Sequence, residues 1–348
     1  MRTNLLLIAA ACTVFAACEN NLGMNNESEC PAKLCLSLEQ TTKADIQTGN
    51  ESKVSDIQVF VFKGDAVDAY KKASATEVAA KKVELTCTQG ERDIWTLVNA
   101  PDMSGIFSMS ALESQVSLLS HNATDKFVMV GKNEKEEVEA LHTASVYVDR
   151  IVSRIRLFQV KRNMTNSGLK NASFKVTRVY MTNAAGNACY DIFTPKYPEE
   201  VQLLNATGES MAKSNPFVYS AVAQPSEIQD GASYGVAYTD AGTTATHNFY
   251  VYPCAEGITK LVVEIMIDNQ YYTYPIPVGT IASNKSYDIK MLTVTRPGNL
   301  SNGDDNVDPD ENEEIVKSSA TFTISVNDWT PVLTFGGDNG VKEGKIEI

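Results

Sequence analysis

The chain has 348 residues and a formal net charge of −13 at pH 7, so it would repel nucleic acid and anionic membrane surfaces. Hydrophobic residues make up 43% of the sequence, which is enough for packed cores along most of its length. This length predicts two domains, since single domains usually span about 100–200 residues.

The first segment has the features of a secretion signal. Arg2 is the only charged residue before Cys18, an apolar run follows it, and small residues precede the cysteine. The run is shorter than the roughly 20 residues of a membrane-spanning helix, so residues 1–17 are predicted to be a signal peptide. Its last residues and the cysteine, Val-Phe-Ala-Ala-Cys, resemble a bacterial lipobox. We therefore expect Cys18 to be lipidated; an ordinary signal peptide cut near Ala17 is the alternative.

A tether and a first strand come next. Residues 18–31 are polar and predict a flexible tether. The hydrophobic period then becomes two, which predicts a half-buried strand over residues 32–40. Its apolar face carries Leu34, Leu36 and Leu38, and its polar face carries Lys33, Cys35, Ser37 and Glu39.

The segment after this strand breaks the alternation. Residues 41–53 contain glycine, asparagine and two basic residues, Lys43 and Lys53, and predict an exposed loop. A second strand is expected over residues 56–62. A weak helical pattern covers residues 104–120. Further strands are predicted at 94–98, 127–130 and 145–148, and together these elements form an N-terminal domain over 32–150.

A C-terminal domain is predicted over residues 151–348. Asp268-Asn269-Gln270 separates two of its strands and predicts a hairpin turn. The expected strands are 155–160, 174–181, 248–252, 261–267, 271–274 and 287–294. Many short strands with few helices predict an all-β fold, with two β-sandwich domains of transthyretin-like or Greek-key type and a few short helices.

The end of the chain combines an acidic insert with further strands. Residues 297–314 are rich in Asp and Glu and predict a solvated linker. C-terminal strands are predicted over residues 320–348. Their apolar positions are Phe322, Ile324 and Val326 on one face, followed by Val332, Leu333 and Phe335.

The sequence contains no catalytic constellation. Its three histidines, His121, His142 and His247, belong to no metal-binding or nucleophile motif, and no phosphate-binding glycine loop is present. We therefore predict no enzyme activity, no catalytic residue, no cofactor and no metal site.

Two weaker patterns have alternative interpretations. Acidic and amide residues alternate from Asp304 to Asp310 as in a calcium loop, but Pro309 occupies the position of the required glycine. A solvated linker is the better interpretation. The aromatic residues Tyr271, Tyr272 and Tyr274 could stack on a sugar, although alternating aromatics more often pack a sheet.

The cysteines leave the disulfide pattern open. Beyond Cys18 the chain has Cys30, Cys35, Cys87, Cys189 and Cys254, without a C-x-x-C pair. In one extended strand Cys30 and Cys35 would lie about 16 Å apart, beyond the roughly 7 Å over which a disulfide can form.

Taken in order, these motifs resemble the fimbrillins, the FimA-type subunits of type V pili in Bacteroidota. The resemblance covers most of the chain: the lipobox, the tether, the first strand and the loop, followed by several short motifs. These are Val54-Ser55-Asp56-Ile57-Gln58-Val59-Phe60-Val61-Phe62, Val148-Asp149-Arg150-Ile151-Val152-Ser153-Arg154-Ile155, Asn284-Lys285-Ser286-Tyr287-Asp288-Ile289, Pro297-Gly298, and Phe322-Thr323-Ile324-Ser325-Val326-Asn327-Asp328-Trp329-Thr330.

The resemblance implies a function in adhesion. Such a subunit reaches the outer membrane as a lipoprotein, a protease cuts the loop after the first strand, and the first strand leaves. A strand of another subunit then fills the groove, giving a head-to-tail polymer at the cell surface. In this chain the removable plug would be Leu34, Leu36 and Leu38, and the donor would lie within residues 320–348.

The chain departs from the family pattern at the expected site of proteolytic cleavage. Well-known members are cut after arginine, whereas Lys43 and Lys53 are the only basic residues in this loop. Either lysine is therefore the candidate cleavage site, or the chain stays uncut and serves as an anchor. The alternative function is a surface glycan-binding lipoprotein of a carbohydrate-uptake system, which would need an exposed aromatic platform; Trp95 and Trp329 are the only tryptophans.

Overall fold

The computed structural model describes residues 30–37, 51–194, 197–240, 242–315, 319–329 and 344–345. In this part of the chain strands predominate, and no helix is long and apolar enough to span a membrane. The helices are α1 (Ala75–Ala80) and α2 (Met109–Glu113), with 3-10 turns η1 (Leu119–His121), η2 (Ser167–Leu169) and η3 (Asp310–Asn312). The strands are β1 (Pro31–Ser37), β2 (Ile57–Lys63), β3 (Ala66–Lys72), β4 (Lys82–Thr88), β5 (Gly90–Val98), β6 (Val116–Leu118), β7 (Met129–Val138), β8 (Leu141–Ser145), β9 (Asp149–Arg150), β10 (Ser153–Arg162), β11 (Phe174–Thr182), β12 (Ala184–Ala185), β13 (Asn187–Cys189), β14 (Leu203–Leu204), β15 (Tyr219–Ala221), β16 (Ser233–Gly235), β17 (His247–Val251), β18 (Lys260–Ile267), β19 (Gln270–Pro277), β20 (Lys285–Val294), β21 (Asn299–Ser301), β22 (Ala320–Asp328) and β23 (Gly344–Lys345).

Two sheets in the first half of the chain enclose an aliphatic core. One has the order β4-β1-β8, and the other has the order β3-β2-β5-β7-β9. Ile57, Val59 and Val61 of β2 share this core with Val83 and Leu85 of β4. Successive side chains of a strand point to opposite faces, so alternate apolar residues are enough to line it.

The five-stranded sheet is buried on both faces. Phe60 and Phe62 of β2 point away from the aliphatic core and join Trp95 in a larger core. Residues of the second half, such as Ile155 and Val251, complete that larger core. Burial on both faces explains why β2 is apolar at nearly every position.

The second half contains two further sheets. One has the order β16-β10-β20-β22-β23, with β17 also paired to β10, and the other has the order β15-β11-β18-β19-β21. β10 and β20 run parallel. β18 and β19 form the expected hairpin, and Asp268 and Asn269 at its tip both have positive φ, 49° and 63°. Two such residues make a type I′ turn, whose twist matches that of the flanking strands.

The all-β sandwich prediction is confirmed. Among the described strands, only the pairing of β6 with β13 joins residues on either side of residue 150. The domain boundary at residue 150 remains a prediction.

Two sequence-based elements are wrong in detail. The helix expected over 104–120 is limited to α2, because β6 and η1 occupy the rest of its C-terminal part. The strand expected over 145–148 ends at Ser145, since the chain there crosses from the sheet of β8 to the sheet of β9. The crossing passes very close to Gly131: a Cβ atom on that glycine would lie 2.0 Å from the carbonyl oxygen of Tyr147.

The sequence-based prediction also omits β3 and β4. β3 is an edge strand without a buried residue, so its pattern is weak. In contrast, the side chains of β4 alternate clearly between exposed and buried, and Val83, Leu85 and Cys87 are the buried ones. The strand predicted from residue 127 begins as β7 at Met129.

Candidate functional site

β1 is the middle strand of its sheet. It pairs antiparallel with β4 over seven residue pairs, from Pro31 opposite Thr88 to Ser37 opposite Lys82. On its other side it runs parallel to β8 over five residue pairs. The strand is therefore held by backbone hydrogen bonds on both edges, and its removal would expose unpaired backbone groups on β4 and β8 alike.

The inward face of β1 fills the aliphatic core. Ala32, Leu34 and Leu36 are exposed by only 2%, 1% and 3%. In the antiparallel register Leu34 lies opposite Leu85, and Leu36 lies opposite Val83. Each buried leucine contributes about 1.5–3 kcal/mol, so a strand that replaced β1 would need apolar residues at the same positions.

The outward face of β1 borders an open recess of about 490 Å³ on the surface of the sheet. Lys33 and Cys35 of β1 line it together with Glu84 of β4 and His142 of β8. Nearby on β4, the Lys82 ammonium lies 3.2 Å from a Glu84 carboxylate oxygen. Glu84 and the Cys35 sulfur both raise the pKa of Lys82.

The chain returns to the described structure at Glu51, whose carboxylate is buried with 2% exposure. Arg154 Nη1 donates to Glu51 Oε2 at 2.8 Å, and the Tyr250 hydroxyl donates to Oε1 at 2.6 Å. Trp329 Nε1 also donates to Oε2, at 3.3 Å, and Arg150 Nε donates to the Glu51 backbone oxygen at 3.3 Å. We call these five residues the Glu51 latch.

Electrostatics and ring packing bind the latch together. The guanidinium carbons of Arg150 and Arg154 lie 4.2 and 4.8 Å from the centre of the Trp329 ring, and Tyr250 stacks on the same ring at 5.7 Å. Burial lowers the pKa of Arg150 to about 9 and also lowers the pKa of Arg154, while Glu51 opposes both shifts. Glu51 therefore offsets part of the cost of burying both guanidiniums.

In the sequence, the two candidate cleavage residues lie on either side of Glu51. Lys53 follows it, with an exposed ammonium 3.1 Å from Asp125. The backbone around Lys53 is held, because Asn99 Nδ2 donates to the Lys53 carbonyl at 2.8 Å and Ser55 N donates to Asn99 Oδ1 at 2.8 Å. Lys43 lies outside the described residues.

Five other residues singled out from the sequence also fall outside the described residues. They are Cys18, Leu38, Val332, Leu333 and Phe335.

The described residues of the expected donor region belong to β22. Ile324 is buried, and Phe322 and Val326 are half-buried against the larger core. β22 pairs with β20 over eight residue pairs and leads into the buried Trp329. On its other edge β23 pairs with it over only two residue pairs.

The aromatic residues that the sequence suggested for a glycan-binding platform are engaged in packing. Trp95 is fully buried and Trp329 is 2% exposed. Tyr274 is also buried, and its hydroxyl donates to the Arg296 carbonyl at 2.8 Å. The ring of Tyr271 packs over Gly303, where a Cβ atom would lie 2.7 Å from it. These aromatics therefore pack the sheets.

The acidic insert is only partly the solvated linker that its composition predicts. Val307 and Glu311 are buried, and the Glu311 carbonyl accepts a hydrogen bond from Thr273 of β19 at 2.7 Å. Asp305 pairs with Lys213 at 2.5 Å. Across the described residues, no group of three or more His, Cys, Asp or Glu side chains is arranged to hold a metal ion.

Sequence reasoning missed the Glu51 latch. Glu51 lies in a polar stretch, where nothing distinguishes it from an exposed loop residue. A signal was present in the partner segment, because Arg150 and Arg154 lie close to the apolar residues Ile151, Val152 and Ile155. Charged residues in such a segment are rarely buried without a partner, so they indicated a buried anion elsewhere in the chain.

Comparisons with known proteins establish the fold. No protein-family model matches the sequence, and no curated protein matches it. Among solved structures, a protein of Bacteroides eggerthii named for cell adhesion is similar, with 18% identity, a TM-score of 0.60, and coverage of 88% of this chain and 98% of that chain. The fimbrilin of Porphyromonas gingivalis W83 is also similar, with 15% identity, a TM-score of 0.58, and coverage of 86% and 97%. A protein of Parabacteroides distasonis named for cell adhesion has 14% identity, a TM-score of 0.60, and coverage of 87% and 98%. The shared fold agrees with the resemblance to the fimbrillins.

Proposed function

We propose that this chain is a structural, non-enzymatic subunit of a cell-surface pilus that assembles by strand exchange. The fold that it shares with a fimbrilin and with proteins named for cell adhesion supports this role. The single observation that carries the mechanism is the position of β1, in the middle of its sheet. In sequence it comes shortly before residues 41–53, where we propose that a protease cuts.

Export is the first step. The chain travels as a lipoprotein anchored in the outer membrane through Cys18, and the subunits are then displayed outside the cell. The predicted tether, which ends where β1 begins at Pro31, separates the lipid from the fold.

The cut falls at Lys43 and not at Lys53. A protease binds an extended, accessible stretch of chain, whereas the backbone around Lys53 is fastened through Asn99. A cut after Lys53 would also remove Glu51 and leave the guanidinium of Arg154 buried without its carboxylate. A cut at Lys43 detaches β1 and leaves the Glu51 latch in the subunit.

Loss of β1 creates the assembly site. The inner positions of Ala32, Leu34 and Leu36 become an apolar groove, and the edges of β4 and β8 present unpaired N–H and C=O groups. Such an edge is a template for another strand, which adds main-chain hydrogen bonds and apolar anchors. Because donor and groove are different surfaces of one chain, the polymer grows head to tail without closing.

A reversible lock tests the mechanism. Cys35 lies opposite Glu84, so a disulfide between Cys35 and the thiol of Glu84→Cys should fasten β1 to β4. In the Cys18→Ala background, the chain cut at Lys43 should form SDS-resistant ladders. The cut, oxidised Glu84→Cys chain should stay monomeric until a reductant is added.

The matched control is Thr86→Cys, which lies opposite Lys33 and so is diagonal to Cys35. It should not lock β1, and ladders should appear with or without reductant. Ladders from the oxidised Glu84→Cys chain, once its disulfide has been verified by mass spectrometry, would refute the release of β1. A cut chain that stays monomeric at high concentration without any lock would refute strand exchange itself.

A further inference from the structure

Among the described strands, β4 and β8 each pair with β1 alone. When β1 leaves, each of them therefore loses its whole backbone ladder, whereas the five-stranded sheet on the other side of the aliphatic core keeps its own. A strand without a ladder tends to disorder, because holding its backbone extended costs conformational entropy. An acceptor groove one strand wide therefore needs other contacts to keep β4 and β8 in place.

Side chains of β3 and α1 fasten the outer edge of β4. Lys71 Nζ donates to the Glu84 carbonyl at 2.6 Å, and Glu84 N donates to Glu77 Oε1 at 3.2 Å. Lys71 Nζ also donates to Glu77 Oε1 at 2.7 Å, and this hydrogen bond is the main reason why the pKa of Glu77 is lowered to about 2. The ionised carboxylate and the ammonium thus meet the N–H and the C=O of the same β4 residue.

A second carboxylate fastens the end of β4. Asp68 Oδ2 accepts hydrogen bonds from Thr88 N at 2.8 Å, from the Thr88 hydroxyl at 2.9 Å and from Arg92 Nε at 3.1 Å. The side chains of Arg92 and Asp68 are only 3% and 8% exposed, so this contact is shielded from solvent. We call Asp68, Lys71 and Glu77 the β4 clamp.

β8 is fastened to β7 in a similar way. Asn133 Nδ2 donates to the Ser145 carbonyl at 3.0 Å, and Nε2 of His142 lies 2.9 Å from Glu136 Oε1. Asn133 Nδ2 also donates to Glu136 Oε2 at 3.2 Å, which links the two contacts. We call Asn133, Glu136 and His142 the β8 clamp. Each clamp holds its strand through side chains, without a strand pair.

Both clamps begin at β-bulges of the five-stranded sheet. β3 has one residue more than β2 at its register shift, and that residue is Asp68. β7 likewise has one residue more than β5 between Asn133 and Glu136. Residues three apart in a regular strand point to opposite faces, but the hydrogen bond between Asn133 and Glu136 shows that the bulge turns them to the same side. The bulges therefore aim the clamp side chains at the small sheet.

We propose that the two clamps hold β4 and β8 in their places after β1 has left, so that the groove is ready for an incoming strand. This inference rests on the proposed strand exchange and adds to it the residues that position the acceptor, whichever segment of another subunit enters. The β4 clamp also occupies N–H and C=O groups on the outer edge of β4, so an incoming strand is directed to the edge that β1 has vacated.

The clamps should matter little while β1 is in place. β1 then provides seven residue pairs to β4 and five to β8, and the Lys71 side chain is 34% exposed, so water can replace its hydrogen bonds. After the cut the clamps take over the alignment of both strands. A preorganised site binds its partner better, because less entropy is lost in ordering the site at that moment. The clamps should therefore affect the cut chain in a way that the uncut chain does not show.

Paired substitutions in the Cys18→Ala chain test this assignment. The clamp variant combines Lys71→Met with Asn133→Ala, and the matched control combines the adjacent substitutions Lys72→Met and Glu134→Ala. The two control side chains form ion pairs that involve neither β4 nor β8. Urea unfolding of the uncut chains should give similar midpoints for the two variants, which also shows that both fold.

After the cut at Lys43, the clamp variant should form SDS-resistant ladders at least about fivefold more slowly than the control, because its groove has to be ordered again as the strand enters. Hydrogen exchange pulsed before ladders appear should show β4 and β8 unprotected in the clamp variant and protected in the control. Lys71→Arg, which keeps a donor at that position, should assemble at the rate of the control.

The outcomes separate this inference from the function on which it rests. Equal ladder rates and equal protection of the two cut variants would overturn the role of the clamps, while strand exchange would stand. The role would also be overturned if the clamp variant lost as much protection before the cut as after it, since the clamps would then only support the fold. If the cut Cys18→Ala chain without these substitutions forms no ladders, the proposed function fails and this inference fails with it.

Discussion

Replacement of Glu51 by alanine is the most direct test of the latch. The substitution removes a buried carboxylate that accepts hydrogen bonds from Arg154, Tyr250 and Trp329. It leaves two guanidiniums over the tryptophan ring without the carboxylate that acts on both of them. The positive charges then repel each other in a region that excludes water.

The expected loss is large. Removing one partner of a buried ion pair typically costs about 3–5 kcal/mol, because the remaining charge is left uncompensated. Arg154 has a side-chain exposure of 9% and cannot turn freely into solvent. We expect Glu51→Ala to lower the free energy of unfolding by about 4 kcal/mol. The matched control is Lys53→Ala, two residues away, whose exposed pair with Asp125 should contribute less than about 1 kcal/mol.

Urea unfolding of the uncut Cys18→Ala chain, followed by circular dichroism and tryptophan fluorescence, measures both variants. Glu51→Ala should move the midpoint to lower urea, with the slope retained. The fluorescence of the folded protein should also change, since Trp329 loses a hydrogen-bond partner. If Glu51→Ala and Lys53→Ala were equally stable, the latch would not stabilise the fold and the argument for a cut before Glu51 would lose its energetic basis.

Three further predictions use other buried groups. Burial raises the pKa of Cys87 to about 11, so its thiol should resist iodoacetamide at pH 8 in the uncut chain. The thiol should react once β1 has left and be protected again in the polymer, while Cys254 stays protected throughout. Reaction of Cys87 before the cut would contradict the packing of β1. Burial lowers the pKa of His247 to about 4, so the folded state binds fewer protons than the unfolded state between about pH 6.5 and 4. The free energy of unfolding should therefore fall by about 3 kcal/mol as the pH drops through that window. Urea midpoints measured against pH should lose this pH dependence in His247→Gln. Gly131→Ala should destabilise the fold by about 1–3 kcal/mol in thermal unfolding, because its Cβ would meet a backbone carbonyl at 2.0 Å. Gly105→Ala, with nothing within 4 Å of its Cβ, should be neutral. Equal melting temperatures would exclude the close approach of Tyr147 to Gly131.

Much of the local structure follows from the sequence alone. The alternation of Leu34 and Leu36 with polar residues predicts a strand with one apolar face, because the two-residue period of a strand depends only on backbone geometry. The hairpin tip at Asp268 and Asn269 is equally local, since both residue types tolerate the positive φ of a type I′ turn. Such predictions need no knowledge of distant residues.

Where these elements lie is decided by the tertiary structure. The sequence predicts that β1 is half-buried, but only strand pairing makes it the middle strand between β4 and β8, and so makes its removal consequential. The assembly argument depends on both facts. The same holds for β2, whose two apolar faces look alike in sequence but belong to two different cores.

The Glu51 latch shows the limit most clearly. The sequence by itself determined the alternation of most long strands and the turn signals, all of which involve neighbours in the chain. The tertiary structure alone decided that a glutamate from a polar stretch is buried beside a tyrosine 199 residues away and a tryptophan 278 residues away. Burial and charge pairing arise from the packing of distant segments, and no local period records them.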